Sequence, residues 1–232
     1  MPHTNTVNRH PSTVNHQRIA FCASDQQKSE LLRSPVFQSH ELLFAGGPEE
    51  LAGLQADAHF DLLFETELFR EFENPDARNF KRIEILSRLL PAPVFINSVI
   101  QPVSAIHPGF IRINGWPGFL EMPLLEATAA KNCEEKARRI FGDRILFVKD
   151  IPGLVNPRII SMIINEACFT LGAGTSSRAE IDTAMKLGTG YPLGPFEWGE
   201  KIGMDRVSAL LKALAAGDEL YVAAPGFGKV DG

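Results

Sequence analysis

The stretch DIPGLVNPRII, residues Asp150–Ile160, separates two parts of the sequence that follow different patterns. Upstream, from Arg18 onward, seven short apolar runs alternate with stretches of helical periodicity. Downstream, apolar residues recur only at helical spacing. Strands that alternate with helices indicate an α/β layer with a largely parallel sheet. We therefore predict an α/β domain that ends near residue 150 and a smaller all-helical domain after it.

The apolar runs have the length of buried strands. The predicted strands are Ile19–Cys22, Glu41–Phe44, Phe60–Phe64, Val94–Ile96, Phe110–Ile113, Leu124–Ala127 and Ile145–Val148. One predicted helix begins at Asn74-Pro75-Asp76, which supply an N-cap, a first-turn proline and a first-turn acid. Its apolar residues are Ala77, Phe80, Ile83, Leu86 and Leu89 or Leu90. A second helix places four residues on one face: Cys133, Ala137, Ile140 and Phe141.

The second domain is predicted to be helical throughout. Pro157–Leu171 is apolar on almost every side, which predicts a helix buried all round that ends at Gly172 and Gly174. Ser177 and Glu180 form a capping box before the next helix. Asp205 is the predicted cap of the last helix, whose apolar stripe is Val207, Leu210, Leu211 and Leu214.

Composition narrows the class of protein. Hydrophobic residues make up 44% and charged residues 22% of 232 residues, which is ordinary globular usage. The net charge of −5 argues against partners such as nucleic acid or an anionic membrane. Since no apolar run approaches the ~18 residues of a membrane span, we expect no membrane association.

The cysteines and histidines point to no disulfide and no metal. Cys22, Cys133 and Cys168 lie far apart in apolar stretches, so we expect reduced, buried thiols in a cytoplasmic protein. His40 and His59 have no acid or cysteine at ligand spacing, so we predict no metal site. Residues 1–17 are too polar to bury much surface and are predicted to be a disordered tail, with a mitochondrial presequence as the alternative.

Three segments carry a resemblance to a known family. The run Asp150-IPGLVNPRII, the pair Glu166-Ala167, and IDTAMKLGTGYPLGPFEW at Ile181–Trp198 resemble the 3-hydroxyacyl-CoA dehydrogenase motifs DxPGFxxNR and IDxAMxxGxGxPxGPFE. The resemblance implies a Rossmann-like NAD-binding domain at 18–150 and a helical domain at 151–232 that forms a homodimer. It also implies a catalytic His–Glu pair at the interdomain cleft, which transfers hydride from the 3-hydroxyl of an acyl-CoA to NAD.

The NAD-binding turn departs from this pattern. Arg18–Leu31, RIAFCASDQQKSEL, resembles the family's (K)VAVxGxGxMGxxI, but Ala23, Asp25 and Lys28 replace its three glycines. These glycines make the tight turn, the close approach to the pyrophosphate and the packing of helix on strand. The short interval between Cys22 and Phe60 also predicts that one βαβ unit is trimmed. We therefore predict no cofactor, with NAD as the cofactor if the alternative function holds.

The residues predicted to form the reaction centre also differ from the family motif. Phe110–Glu126, FIRINGWPGFLEMPLLE, resembles FIGxHFFNPVPxMKLVE, which puts Asn114 at the catalytic histidine and Glu126 at its glutamate partner. An amide cannot accept the hydroxyl proton as imidazole does. Asn97–Ile106 resembles NTSSLxITxI, so Val99 and Ile100 occupy the two serine positions. Pro157 stands at the family asparagine, and Asn156 lies one place earlier.

These substitutions favour a family member that has lost NAD binding and hydride transfer and acts as a dimeric binding or scaffold protein, with acyl-CoA as the ligand that the resemblance implies. The alternative is an active NAD-dependent 3-hydroxyacyl-CoA dehydrogenase. A lyase or hydrolase that uses Glu126 as its base is a third hypothesis. His107 is a candidate for a displaced base, although a solvated loop histidine is the simpler interpretation. Trp116 and Phe119 are candidates to cover the cleft.

Overall fold

A computed structural model describes residues 16–65 and 77–227. The predicted tail therefore lies outside the described residues except for its last two positions, and the predicted N-cap at Asn74-Pro75-Asp76 lies outside them entirely. At the start of the described chain, the Gln17 carbonyl already accepts a hydrogen bond from the Glu41 amide. Gln17, which belongs to the predicted tail, is thus hydrogen-bonded to the sheet.

The described chain contains a single seven-stranded sheet. Its strands are β1 (Arg18–Cys22), β2 (Glu41–Ala45), β3 (Ala58–Asp61), β4 (Val94–Asn97), β5 (Ile111–Ile113), β6 (Leu125–Ala129) and β7 (Ile145–Phe147). They lie in the order β2-β1-β3-β4-β5-β6-β7. All neighbours are parallel except β5 and β6, which are antiparallel. The predicted Rossmann-like, mostly parallel sheet with a helical domain after it is confirmed. The prediction that one βαβ unit is trimmed between Cys22 and Phe60 is wrong, because a helix connects β1 to β2 and another connects β2 to β3.

Eight α-helices complete the described fold. They are α1 (Asp25–Arg33), α2 (Pro48–Gly53), α3 (Ala77–Ser87), α4 (Lys131–Phe141), α5 (Asn156–Gly172), α6 (Arg178–Thr189), α7 (Pro195–Ile202) and α8 (Met204–Ala215). The strand order reverses between β2 and β3, on either side of β1. In open α/β sheets a ligand usually binds at such a switch point, outside the carboxyl ends of the strands.

Alternation along the strands builds two cores, because successive side chains point to opposite faces of a sheet. On one face, Phe21, Phe60 and Phe95 pack against α1 and α4, and the rings of Phe60 and Phe95 stack at 4.1 Å between centroids. On the other face, Ala20, Cys22 and the aliphatic residues of β4 pack against α2 and α3. The four residues predicted on one face of α4 are all buried.

Two sequence-based details of α3 are wrong. Phe80 was expected on the apolar face, but it is 62% exposed, and Ile85 is the buried residue beside Leu86. Leu89 and Leu90 fall in the turn after the helix ends at Ser87. A mean helical spacing does not show which of two adjacent stripes faces the sheet, since only tertiary packing decides it.

The helical domain differs from expectation at three points. Helix α5 is not buried all round, because Ile159 and Phe169 are 51% and 40% exposed. Cys168 is only partly buried. Asp205 is not the cap of α8, since Gly203 at φ +99° precedes Met204 as the N-cap and Asp205 lies in the first turn. The Ser177–Glu180 capping box and the buried stripe of α8 are as predicted. No helix of the described chain is long and apolar enough to cross a membrane.

Candidate functional site

The β1–α1 turn is closed by its own side chains. Ser24 caps α1: its Oγ accepts the Gln27 amide at 3.3 Å, and Gln27 Oε1 accepts the Ser24 amide at 2.9 Å. Ala23 is buried, while the Asp25 side chain is almost fully exposed and pairs with Lys28 Nζ at 3.3 Å. The capping box therefore satisfies a backbone N–H at the end of a helix that would otherwise face a phosphate.

Hydrogen bonds also cross the crevice beyond the strand ends. Gln27 Nε2 donates to the carbonyls of Leu62 and Gly115, each at 3.0 Å. Asn97, at the end of β4, donates to the same Leu62 carbonyl at 3.1 Å and accepts the Gly115 amide at 3.0 Å. A Cβ at Gly115 would lie 2.8 Å from the Asn97 side chain, so glycine permits this close approach. Strands β3, β4 and β5 are thus tied to α1 at the switch point.

A buried carboxylate reinforces this closure. Glu30 is 1% exposed, and both of its oxygens accept the Gly118 amide at 2.8 Å. Burial is the main cause of the raised pKa of Glu30, and the Gly118 amide opposes it. Sequence reasoning missed Gln27 and Glu30. The sequence feature that could have identified them is their position on the same helix face as apolar Leu31, where burial of a polar group without a partner would be costly.

A cavity of about 430 Å³ lies next to this turn, between α1 and the α7–α8 junction. Its walls include Ser24 and Gln27 from the sheet domain and Lys201 and Arg206 from the helical domain. Both cations are already paired: Lys201 with Glu121 at 2.9 Å, and Arg206 with both oxygens of Glu65 at 3.0 and 3.2 Å. The cavity therefore presents balanced rather than excess positive charge.

The two residues at the predicted His–Glu positions face each other. Asn114 and Glu126 follow the β5–β6 register as cross-strand neighbours, and the Asn114 amide donates to the Glu126 carbonyl at 3.3 Å. Together with Asn156 they line a cavity of only about 10 Å³, roughly the room of one water. Asn114 Oδ1 accepts the Trp116 amide, and its buried Nδ2 has no acceptor among the described residues.

Glu126 serves as the cap of α5. Val155, the residue before that helix, provides no side-chain cap. Instead, the Glu126 carboxylate accepts the amides of Val155 and Asn156, the latter at 3.2 Å. A carboxylate at a helix N-terminus satisfies free N–H groups and interacts favourably with the helix dipole. Burial nevertheless raises the pKa of Glu126, because it outweighs these two amides and nearby Arg112.

The remaining predicted positions are apolar contacts between the domains. Val99 and Ile100 are buried with Trp116 against α5 and α8. Pro157 is buried in the first turn of α5. Phe119 stacks on Trp198, with ring centroids 5.4 Å apart.

His107 lies away from this site. Its Nδ1 accepts the Gly109 amide at 3.1 Å, and its ring stacks on Phe110 before β5 begins. Asn114 follows the other end of the same strand. In the described chain, no group of three or more His, Cys, Asp or Glu side chains has the arrangement to hold a metal ion.

An ion pair between Arg112 and Asp150 connects the sheet domain to the start of the helical domain. Arg112, which is fully buried in β5, donates to Asp150 Oδ1 at 3.1 Å and to the carbonyls of Ile151, Ser98 and Val99. Sequence reasoning gave it no role, although arginine is almost never fully buried unless it is paired. It stands where the resembled motif FIGxHFFNPVP has glycine.

The helical-domain motif has a structural explanation. Asp182 caps α7, accepting the Phe196 amide at 2.8 Å and the Glu197 amide at 3.3 Å. A Cβ at Gly194 would lie 2.4 Å from Asp182, which leaves room for glycine alone. Glu197 in turn accepts the Gly194 amide at 2.8 Å. The best-matched stretch of sequence thus maintains the packing of α6 on α7.

Comparisons with known proteins point to one family. Residues 153–226 match the family model described as 3-hydroxyacyl-CoA dehydrogenase, C-terminal domain. The 3-hydroxyadipyl-CoA dehydrogenase of Escherichia coli (strain K12) is 40% identical over 103 residues, covering 41% of this chain and 22% of that protein. The 3-hydroxybutyryl-CoA dehydrogenase of Clostridioides difficile is 44% identical over 80 residues, covering 34% of this chain and 28% of that protein. The chain thus matches about a quarter of the length of these relatives.

Solved structures share the fold over a longer span. (S)-3-hydroxybutyryl-CoA dehydrogenase from Ralstonia eutropha has a TM-score of 0.63 at 18% identity, covering 90% of this chain and 91% of that one. FadB2 from M. tuberculosis has a TM-score of 0.69 at 12% identity, covering 92% of each chain. Residues 153–226 therefore resemble the C-terminal domain of 3-hydroxyacyl-CoA dehydrogenases, and the described chain shares the fold of these solved structures.

Proposed function

We propose that this chain is a family member without NAD binding or hydride transfer, and that it acts as a dimeric binding or scaffold protein. The observation that carries the proposal is the use of the inherited site for internal contacts. Gln27 and Asn97 span the crevice at the switch point, and Glu126 caps α5. At the β1–α1 turn, Ser24 already accepts the Gln27 amide at the start of α1, which weighs against a dinucleotide diphosphate there.

The chemistry of the second site supports the same proposal. Oxidation of an alcohol needs a group that accepts the hydroxyl proton while hydride leaves, and loss of such a base costs about 10²- to 10⁴-fold in rate. The Asn114 amide has no basic nitrogen. Glu126 is engaged by two backbone amides, in a cavity of about 10 Å³ that is too small for the carbon chain that carries a substrate hydroxyl. These contacts also weigh against a lyase or hydrolase that uses Glu126 as its base.

Two measurements test the proposal. Calorimetry with NAD and NADH at millimolar concentration is expected to give no heat of binding, and a micromolar dissociation constant would overturn it. In parallel, acetoacetyl-CoA and NADH are expected to show no NADH oxidation above a control without protein. An active family dehydrogenase measured in the same assay controls for the reagents.

The alternative function is an active NAD-dependent 3-hydroxyacyl-CoA dehydrogenase. The cavity of about 430 Å³ beside Ser24 and Gln27 favours it, because it lies at the switch point where ligands bind in such sheets. Measurable binding of NAD that is weakened by Gln26→Trp, a bulky substitution at an exposed residue of the cavity wall, would support the alternative.

We propose further that the protein is a cytoplasmic homodimer that associates through its helical domain. Ile159, Phe169, Leu187 and Tyr191 are exposed on this domain, and an apolar groove of about 430 Å³ runs between α5 and α6. Exposed apolar patches of this kind often mark interfaces. The apolar stripe of α8 does not add to this surface, since Leu210, Leu211 and Leu214 are buried within one chain.

A small apolar cavity is the best-supported place for a ligand. It measures about 180 Å³ and adjoins the Asn114–Glu126 cavity, with which it shares Phe119, Met122 and Asn156. Its other walls are aliphatic residues of α5 and the rings of Tyr191 and Trp198. This lining suits the acyl portion of an acyl-CoA, which we propose as the ligand class. A thermal-shift series with CoA and acyl-CoAs tests it, since a ligand at 100 times its dissociation constant stabilises by about 2.7 kcal/mol.

A further inference from the structure

The linker between the two domains, residues 151–155, is held in place by charged side chains inside the protein. Asp150 lies at the end of the sheet domain, and its two carboxylate oxygens accept the amides of Val103 at 2.9 Å and Ser104 at 3.1 Å. These amides begin the short 3-10 turn Val103–Ala105 in the segment after β4. The linker is therefore attached to the loop that follows a central strand.

Arg112, which lies in β5, also holds the linker to this loop. Its guanidinium donates to Asp150, to the Ile151 carbonyl of the linker, and to the Ser98 and Val99 carbonyls of the loop. A guanidinium presents donors in a rigid, planar fork, so it can join several acceptors that lie in one plane. The Gly153 amide also donates to the Val99 carbonyl at 2.8 Å, which gives that carbonyl donors from both the sheet and the linker.

A second carboxylate holds the other end of the linker. Glu126 of β6 accepts the amides of Val155 and Asn156, where α5 begins. The segment between the domains is thus fixed near Asp150 and again at Asn156. Arg112 is close enough to interact electrostatically with both carboxylates.

We propose that Arg112 is an interdomain latch that holds the sheet and helical domains in one fixed orientation. Domains joined by a linker move relative to each other by default unless their interface is large and apolar. Here the interface contains Val99, Ile100 and Trp116 packed on the helical domain, and the latch adds charge-assisted hydrogen bonds at the hinge itself. The proposal is independent of whether NAD or an acyl-CoA binds.

Hydrogen exchange of the full chain tests the latch. In Arg112→Met, the amides of Gly153, Val155 and Asn156 are expected to exchange at least about tenfold faster, the factor that corresponds to losing one hydrogen bond to a charged group. Amides in β1 and β3 are expected to keep their wild-type rates. Arg88→Met is the control, because Arg88 is exposed and its ion pair in the described chain is with Glu84, four residues earlier.

Tryptophan fluorescence gives a second measurement, because Trp116 and Trp198 both lie in the interdomain core. In Arg112→Met, the fluorescence transition in urea is expected to precede the transition in far-UV circular dichroism, whereas we expect the two transitions to coincide in wild-type protein. Unchanged linker exchange would overturn the proposal, as would a uniform increase across β1, β3 and the linker.

If Arg112→Met fails to fold, the same exchange experiment on Asp150→Asn tests the latch. Asparagine keeps the size of the side chain and one acceptor oxygen. Faster exchange confined to the linker in that variant supports the latch, and wild-type exchange there refutes it.

Discussion

Replacing Glu126 by alanine tests whether the carboxylate of this residue serves as a helix cap. The substitution removes the acceptor of the Val155 and Asn156 amides at the start of the 17-residue helix α5. Loss of an N-cap costs about 1 kcal/mol and up to about 2. A buried donor left without a partner costs about 1–3 kcal/mol. Because Glu126 is 4% exposed, water reaches these amides poorly.

Two effects reduce the loss of stability expected from these two costs. The alanine variant no longer buries a carboxylate, whose raised pKa shows that burial disfavours its charged form. Water can also enter the space that the side chain vacates. We therefore expect a net loss of about 2 kcal/mol in the free energy of unfolding, which for a chain of this size lowers Tm by about 4–8 °C.

Urea denaturation at pH 7, followed by circular dichroism, measures this loss. Glu84→Ala is the matched control, because Glu84 is an exposed α3 residue whose ion pair with Arg88 should contribute less than about 1 kcal/mol. A loss below about 0.5 kcal/mol in Glu126→Ala, within the range of ordinary surface substitutions, would refute the capping role. Wild-type stability together with a loss of enzymatic turnover would point instead to a catalytic carboxylate.

Four further outcomes are expected. Asn114→His alone should give no oxidation of NADH with acetoacetyl-CoA, since the crevice contacts remain; clear turnover would mean that the cofactor site is intact. Ile163→Asp, in the α5–α6 groove, should convert a dimer to a monomer by light scattering, whereas a wild-type monomer at micromolar concentration would contradict dimerisation. Gly194→Ala should destabilise by about 1–3 kcal/mol in urea denaturation, because its Cβ would overlap Asp182. Since the folded pKa of Glu126 is raised, its contribution to stability should fall as pH rises from about 4.3 through that pKa. The difference in stability between wild type and Glu126→Gln should show this pH dependence, and a pH-independent difference would argue against the raised pKa.

Local sequence patterns predicted the elements of the fold. All seven strands formed within a few residues of their predicted positions, because alternating apolar residues suit a buried sheet whatever lies around them. The Ser177–Glu180 capping box is also local, since each partner reaches the other within one helical turn. Asn114 and Glu126, which the motif alignment assigns to a His–Glu pair, are neighbours across the antiparallel β5–β6 pair, and that assignment stays a prediction.

The contacts that define the candidate site depend on the tertiary structure. Gln27 meets Gly115, and Glu126 meets the amide of Asn156, across long intervals of sequence that no periodicity connects. A buried polar side chain needs a partner, but its sequence does not say which backbone group will be nearby. The sequence by itself therefore determined the strands of the sheet and the helical character of the chain after them. The fold alone decided that Glu126 would cap α5 and that Arg112 would join the linker to the sheet, because only chain packing brings those donors and acceptors within hydrogen-bond distance.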